Sequence, residues 1–273
     1  MRIRITGIVM VVFCVMTMAQ ENDTSVLGKN NVAVVKKMQF VHAFINNKDT
    51  CLYDLKKYDK DTRLIYGKVD MNCIGMQTVE ETVLNYDKTG LNHIISRQDD
   101  LDFSKSTYIY DTATGKDPER IKVLFFQTND SMSINTTYYK NDTGRLDSSE
   151  TLVTMQDGSQ RYTQNVARYD EQGGLVQLVT ADAKGELVEM ASYELDEDKR
   201  LLSAAFATYG ENPYFVQTYY QYNQRGQIAN TVNTVNQKQE YFYHDNGLLN
   251  NILSYNPKGV LEIEYIFLYE FYE

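Results

Sequence analysis

Tyr222-Asn-Gln-Arg-Gly226-Gln-Ile228, Tyr243-His-Asp-Asn-Gly247-Leu-Leu249 and Tyr255-Asn-Pro-Lys-Gly259-Val-Leu261 are one phrase written three times. An aromatic residue closes a strand, a polar turn ends in glycine, and an aliphatic residue opens the next strand. Asp and Asn supply turn chemistry, and glycine takes the positive φ that a tight reversal or bulge requires. Between copies the pattern has the strand period of two: Tyr241 and Tyr243 oppose Phe242, and Ile263, Tyr265, Phe267, Tyr269 and Phe271 oppose Glu262, Glu264, Ile266, Leu268 and Glu270. The last strand is apolar on one face and mixed on the other, so it should pack centrally or cover an edge.

The phrase extends back along the chain. Copies begin at Tyr86, Tyr110, Tyr139 and Tyr169, a half-copy runs from Asp182 to Leu187, and Tyr193 to Leu201 keeps the frame with Lys199 in place of glycine. Tyr58-Asp-Lys-Asp-Thr-Arg-Leu64 reads as a further copy without glycine. The tyrosines of the series lie 24, 29, 30, 24, 29, 21 and 12 residues apart. A tight solenoid needs a fixed period, whereas hairpins of varying length tolerate drift. The expected fold is all-β: serial antiparallel β-hairpins forming one large twisted or curved sheet, an open spiral or half-barrel, with few or no helices.

The phrase resembles the YD repeat of Rhs-type proteins, large exported bacterial chains that build β-hairpin spirals and shells, over about Tyr86 to Leu261. Tyr169, Tyr222, Tyr243 and Tyr255 match it without an insertion. A looser likeness is to antitoxin-like and MORN-like hairpin repeats. The style is similar to that of exported proteins from Bacteroidota-like bacteria. The resemblance implies architecture and compartment, and no activity.

The N-terminus agrees on compartment. Arg2 and Arg4, the apolar run Ile8 to Val15 and Thr17-Met18-Ala19 have the order of a secretory signal peptide cleaved after Ala19, and the apolar run is shorter than the ~20 residues of a bilayer span. The expected division is 1–19 signal peptide, 20–31 flexible polar leader, and 32–273 one elongated hairpin-repeat domain with a candidate sub-boundary near 100–106. The product would be secreted or periplasmic. A lipoprotein processed at Cys14 is the minor alternative. From Val34 to Tyr86 the expected strands are Val34–Ile45, Thr50–Tyr58, Arg63–Lys68, Cys73–Met76 and Thr78–Tyr86.

Without Arg2 and Arg4 the chain has 25 basic against 37 acidic residues, a net charge of −12. Such a surface repels phosphate backbones and anionic lipid heads, which argues against nucleic-acid or membrane-surface binding, and no stable membrane insertion is expected after signal cleavage. Cys51 and Cys73 are the cysteines outside the signal segment; in an exported chain they suit a disulfide, with two small buried hydrophobes as the other reading.

Chemistry is sparse. His42, His93 and His244 form no metal-ligand spacing, and there is no nucleophile elbow or phosphate-cradling glycine loop. Asp99-Asp100-Leu101-Asp102 and Asp196-Glu197-Asp198 lack the spacing of a calcium loop and read as solvated turns. No catalytic residue, metal or cofactor is expected, and the chain reads as a non-enzyme. Tyr219, Tyr220, Tyr222, Tyr241, Phe242 and Tyr243 are the candidate ligand-binding residues, an aromatic face on which a sugar or peptide stacks; cross-strand packing is the competing account. Three functions follow in order: a binding or structural role with an envelope glycan or protein partner, a half-barrel carrier of a lipid-like ligand, and a glycan-acting hydrolase with carboxylates gathered from separate hairpins.

Overall fold

The computed structural model describes residues 24–41, 51–74, 78–88, 90–110, 118–126 and 130–273. The signal segment, the tip at 46–49, Met76 and most of the Tyr110 turn lie outside the described residues. A short helix, α1 (Thr24–Lys29), precedes eighteen strands: β1 (Val32–Val41), β2 (Cys51–Tyr58), β3 (Leu64–Asp70), β4 (Val79–Asp87), β5 (Gly90–Gln98), β6 (Leu101–Tyr110), β7 (Pro118–Phe125), β8 (Asp130–Lys140), β9 (Leu146–Met155), β10 (Gln160–Tyr169), β11 (Leu175–Asp182), β12 (Leu187–Leu195), β13 (Leu201–Thr208), β14 (Tyr214–Tyr222), β15 (Ile228–Asn233), β16 (Lys238–Tyr243), β17 (Leu249–Tyr255) and β18 (Leu261–Phe271).

Each strand pairs antiparallel with the next, from Val35↔Lys56 between β1 and β2 to Ser254↔Ile263 between β17 and β18. β18 then returns to β1 through Val35↔Tyr269, Lys37↔Phe267 and Gln39↔Tyr265. The sheet is a closed up-and-down barrel. The curved hairpin sheet expected from the phrase is present, and its edges are joined, which removes the exposed strand edges of an open spiral. Pairing continues unbroken through Ser96↔Ser104 and Ser106↔Val123, across the candidate sub-boundary.

Two expectations are corrected. Cys73 belongs to a 3-10 turn, Met71–Ile74, and not to a strand. The polar leader contains α1, whose Leu27 is 3% exposed among Val32, Val35, Tyr58, Leu248, Leu249, Ile252 and Phe267. A lone leucine in an Asn- and Asp-rich stretch carries no periodicity, so only tertiary packing reveals this turn of helix.

Ten of the described turns share one geometry. At Asn223 the backbone N–H donates to the Gln227 carbonyl (2.8 Å) and the Gly226 N–H donates back to the Asn223 carbonyl (3.0 Å). The Asn223 Oδ1 accepts the N–H groups of Arg225 and Gln227 (2.9 and 3.0 Å). Asp59, Asn141, Asp182, Asn233 and Asn256 repeat this side-chain clasp on the N–H groups two and four residues on. The fourth residue has positive φ throughout: 76° at Gly226, and 60°, 62° and 59° at Thr62, Lys199 and Asn236, the positions without glycine. A β-branched residue is strained there. Thr62→Gly is therefore expected to stabilise the protein by about 1 kcal/mol, read as a higher urea midpoint.

Tyrosine is used for a specific reason. The Tyr86, Tyr169, Tyr222 and Tyr269 hydroxyls donate to the carbonyls of Leu64, Leu146, Leu201 and Leu249, residues that open a strand one hairpin earlier (2.9, 2.7, 2.8 and 2.6 Å). Arg63, Arg145 and Arg200, each just before such a leucine, lie over the Tyr86, Tyr169 and Tyr222 rings at 5.0, 5.8 and 5.1 Å. Tyr86, Tyr169 and Tyr222 thus tie their turns to the neighbouring turn on the same rim, and Tyr269 ties β18 to the start of β17, each by a bond worth ~1 kcal/mol that phenylalanine cannot make.

Candidate functional site: the inner wall of the barrel

Alternation assigns every strand residue to one of two faces, and burial identifies the inner one. Ser149, Thr151 and Val153 on β9, Glu189, Ala191 and Tyr193 on β12 and Ala204 on β13 are buried, while Phe215, Tyr219, Phe242 and Leu268 on the alternate face are exposed. Close contacts between elements run between neighbouring strands and to the short helices, so no second sheet covers these small residues. Side chains on the concave face of a closed layer converge and shield one another; those on the convex face splay apart. The face holding Ala191 and Ala204, 3% and 2% exposed, is the lumen side. α1 packs on that same face at one rim.

The wall has two halves. From β4 to β11 it is rich in hydroxyls and amides. Thr82 pairs with Ser96 and Ser96 with Ser104, whose partner on β7 is Phe125; Ile121, Val123, Met132, Ile134, Val153 and Met155 make an apolar patch on the same face, and beyond it Thr136, Thr151 and Thr163 lie in one row. Thr136 Oγ1 lies 3.2 Å from Thr151 Oγ1, Thr180 Oγ1 donates to Asn165 Oδ1 (2.7 Å), and Asn165 Nδ2 donates to Ser149 Oγ (3.4 Å). From β12 round to β1 the wall is aromatic: Tyr193, Phe206, Tyr220, Tyr241, Tyr243, Tyr265, Phe267 and Tyr269 share the inner parity. Burial pushes the Tyr220 hydroxyl up to about 12, with Tyr222 and Tyr193 adding to it, and raises Tyr193 and Tyr243 for the same first reason. These phenols stay neutral and present hydroxyls and ring faces.

Polar groups interrupt the aromatic half at the β1–β18 seam. Lys37 Nζ lies 4.2, 5.6 and 6.0 Å from the ring centres of Tyr265, Phe267 and Tyr53. Asp54 and Lys56 form an ion pair at 3.2 Å beside it. Gln39, 2% exposed, has neither amide atom hydrogen-bonded. An unmet buried amide costs about 1–3 kcal/mol. The neighbouring Cys51 is bonded to Cys73.

Of the six aromatics expected to form one face, the barrel divides them. Tyr220, Tyr241 and Tyr243 point inward, while Tyr219 and Phe242, 48% and 44% exposed, point outward. Tyr222 spends its hydroxyl on the rim bond to Leu201. Adjacent strand residues face opposite ways, so Tyr219 and Tyr220 cannot share a surface. The acidic clusters serve turns: Asp196 clasps Arg200, and Asp99 accepts the Val79 N–H. His244 stacks edge-on with Tyr269 at 6.4 Å.

Glu189 closes the polar half beside Thr180. Burial pushes its carboxyl above the ordinary range, with Arg161 opposing. A carboxyl whose pKa rises on folding favours the native state below its unfolded pKa, and that advantage is lost as pH rises through the folded value. Glu189→Gln should therefore raise the melting temperature at pH 7 by about 1–3 °C, with the difference vanishing below about pH 4.

Fold and wall together define a class: a closed, all-antiparallel β-barrel whose inward face is richer in hydroxyls on one side and aromatic on the other. No family model matches this chain, and no curated protein matches its sequence. Among solved structures, the chain is similar to a porin-like protein from Bacteroides uniformis (TM-score 0.42, 7% identity, 88% of this chain and 98% of that one). It is also similar to one from Bacteroides vulgatus (0.37, 11%, 71% and 99%). The complex TcdB2-TccC3-Cdc42 matches at 0.35 and 13%, over 80% of this chain; the chain spans only 15% of that one. No TM-score here reaches 0.5, so the chemistry of this barrel is read from its own residues.

Proposed function

We propose that this chain is an exported, water-soluble β-barrel with a non-enzymatic binding role, whose lumen holds a glycan of the cell envelope. The two-sided inner wall carries this reading. A sugar presents hydroxyls at its edges and C–H groups on its faces, which suits hydrogen bonding to the Thr82–Ser96–Ser104 and Thr136–Thr151–Thr163 rows and stacking on Tyr241 and Tyr265. The hydroxylic half speaks against a lipid-like cargo, which needs apolar lining throughout.

The outer face supports solubility. Lys36, Lys68, Glu81, Lys105, Lys122, Glu150, Glu240 and Glu264 all project outward from within strands. A lipid-facing belt would carry these charges at ~2–4 kcal/mol for each Lys or Arg near the bilayer midplane. Export rests on the signal-like N-terminus, and the YD-like phrase is consistent with it.

The test uses the chain lacking residues 1–19, in buffer without detergent. It should remain soluble, ignore phosphatidylcholine vesicles, and show a raised melting temperature with one or more neutral oligosaccharides from an envelope-glycan panel, lost in Tyr265→Ala. Partition into vesicles, or stabilisation by fatty acids with none by glycans, would overturn the proposal.

A further inference from the structure

We infer a second binding site, on the outside of the barrel, for an acidic saccharide. A groove of about 480 Å³ runs over β6 to β9, lined mostly by residues of the outer face, with Val123, Met132 and Met155 also lining it. One cross-strand row contributes Thr107, Lys122, Ser133 and Thr154, and the next contains Lys105, paired with Leu124.

Lys105 and Lys122 are therefore diagonal neighbours on one face. Elsewhere on the outer face, Lys36, Lys68, Arg97 and Lys238 are each matched by a carboxylate. Lys105 and Lys122 have none among the described residues. Two ammonium groups on diagonal neighbours repel each other weakly, a repulsion that an anion held between them relieves, and here they stand together in a chain with a large acidic excess. Gln156 Oε1 accepts the Ser131 N–H at 2.8 Å, which leaves its amide NH2 as a further donor at the groove's end. The groove thus offers ammonium, hydroxyl and amide donors, and no carboxylate lines it among the described residues.

Shape separates a chain ligand from a lone oxyanion. The hydroxyl row crosses four strands, about 14 Å at the spacing of a sheet. The two lysines stand roughly 7 Å apart at their origins and do not converge on one point. Successive carboxylates on a saccharide match that separation, with ring hydroxyls meeting Thr107, Ser133 and Thr154. This site is independent of the lumen.

Isothermal titration of the chain lacking residues 1–19, at low salt, tests the inference with tri-galacturonic acid, maltotriose and inorganic sulfate. Tri-galacturonic acid should bind, with affinity falling at least tenfold in Lys105→Gln and in Lys122→Gln and disappearing in the double variant. Affinity should also fall as sodium chloride is raised. Both lysines are solvent-accessible and carry no carboxylate partner among the described residues, so melting temperatures should not fall. Tyr265→Ala should leave this binding intact while removing that of neutral glycans, which keeps the two sites distinguishable. The inference is overturned if the double variant binds as well as the parent, if tri-galacturonic acid does not bind, if sulfate binds as tightly as the trisaccharide, or if Tyr265→Ala alone abolishes binding.

Discussion

Phe267→Ala is expected to destabilise the barrel by about 3–5 kcal/mol, the range for deleting a buried phenyl ring. Phe267 is 3% exposed and sits on the inner face of β18, packed with Leu27 of α1, Val35 of β1 and Ile252 of β17. Its ring also lies beneath Lys37 on the paired strand. The cavity would open at the seam where the last strand meets the first, so loss of packing and loosening of the closure coincide. A protein has only ~5–15 kcal/mol of stability to lose. Urea unfolding followed by circular dichroism would show the midpoint fall; a change under 1 kcal/mol would mean that Phe267 does not hold the seam.

The second large effect is expected at the disulfide. Cys51–Cys73 closes a span of 22 residues across β2, β3 and the 3-10 turn, and restricting the unfolded chain over such a loop contributes about 3 kcal/mol. Cys51→Ser, or reduction of the parent, should lower the melting temperature by several degrees. The loss falls at the β1–β2 border beside Gln39. Equal melting of the oxidised and reduced protein would contradict this role.

Much of the architecture was legible in local patterns. The turn frame at Asn223, Asn256 and Asp182 could be read because Asx and glycine chemistry acts within five residues, and even Thr62 and Lys199 were placed by frame alone. Closure was not legible, because β1 and β18 meet across more than two hundred residues and strand pairing at that distance leaves no local mark. The apolar pattern of β18 was the nearest signal, and it indicated a strand that packs centrally or covers an edge without naming its partner. The rim role of tyrosine was readable in part: Arg63-Leu64, Arg145-Leu146 and Arg200-Leu201 recur in the phrase, but their partners are one hairpin away.

The site was less legible than the fold. The six-residue aromatic face fails on the period of two already visible in Tyr219-Tyr220 and Tyr241-Phe242-Tyr243. The hydroxyl rows at Thr82, Ser96, Ser104, Thr136 and Thr151 carry no motif, since each strand contributes only one or two of them. They become a surface only when the register aligns the strands.

Hydrogen exchange in detergent-free buffer tests the closed, water-soluble barrel most directly. Backbone amides of Val35 to Gln39 and Ile263 to Ile266 should be as protected as those of the interior strands β12 to β14, because these segments are paired to each other's strands and also to β2 and β17. Fast exchange confined to β1 and β18, or a protein that stays in solution only with detergent, would contradict it.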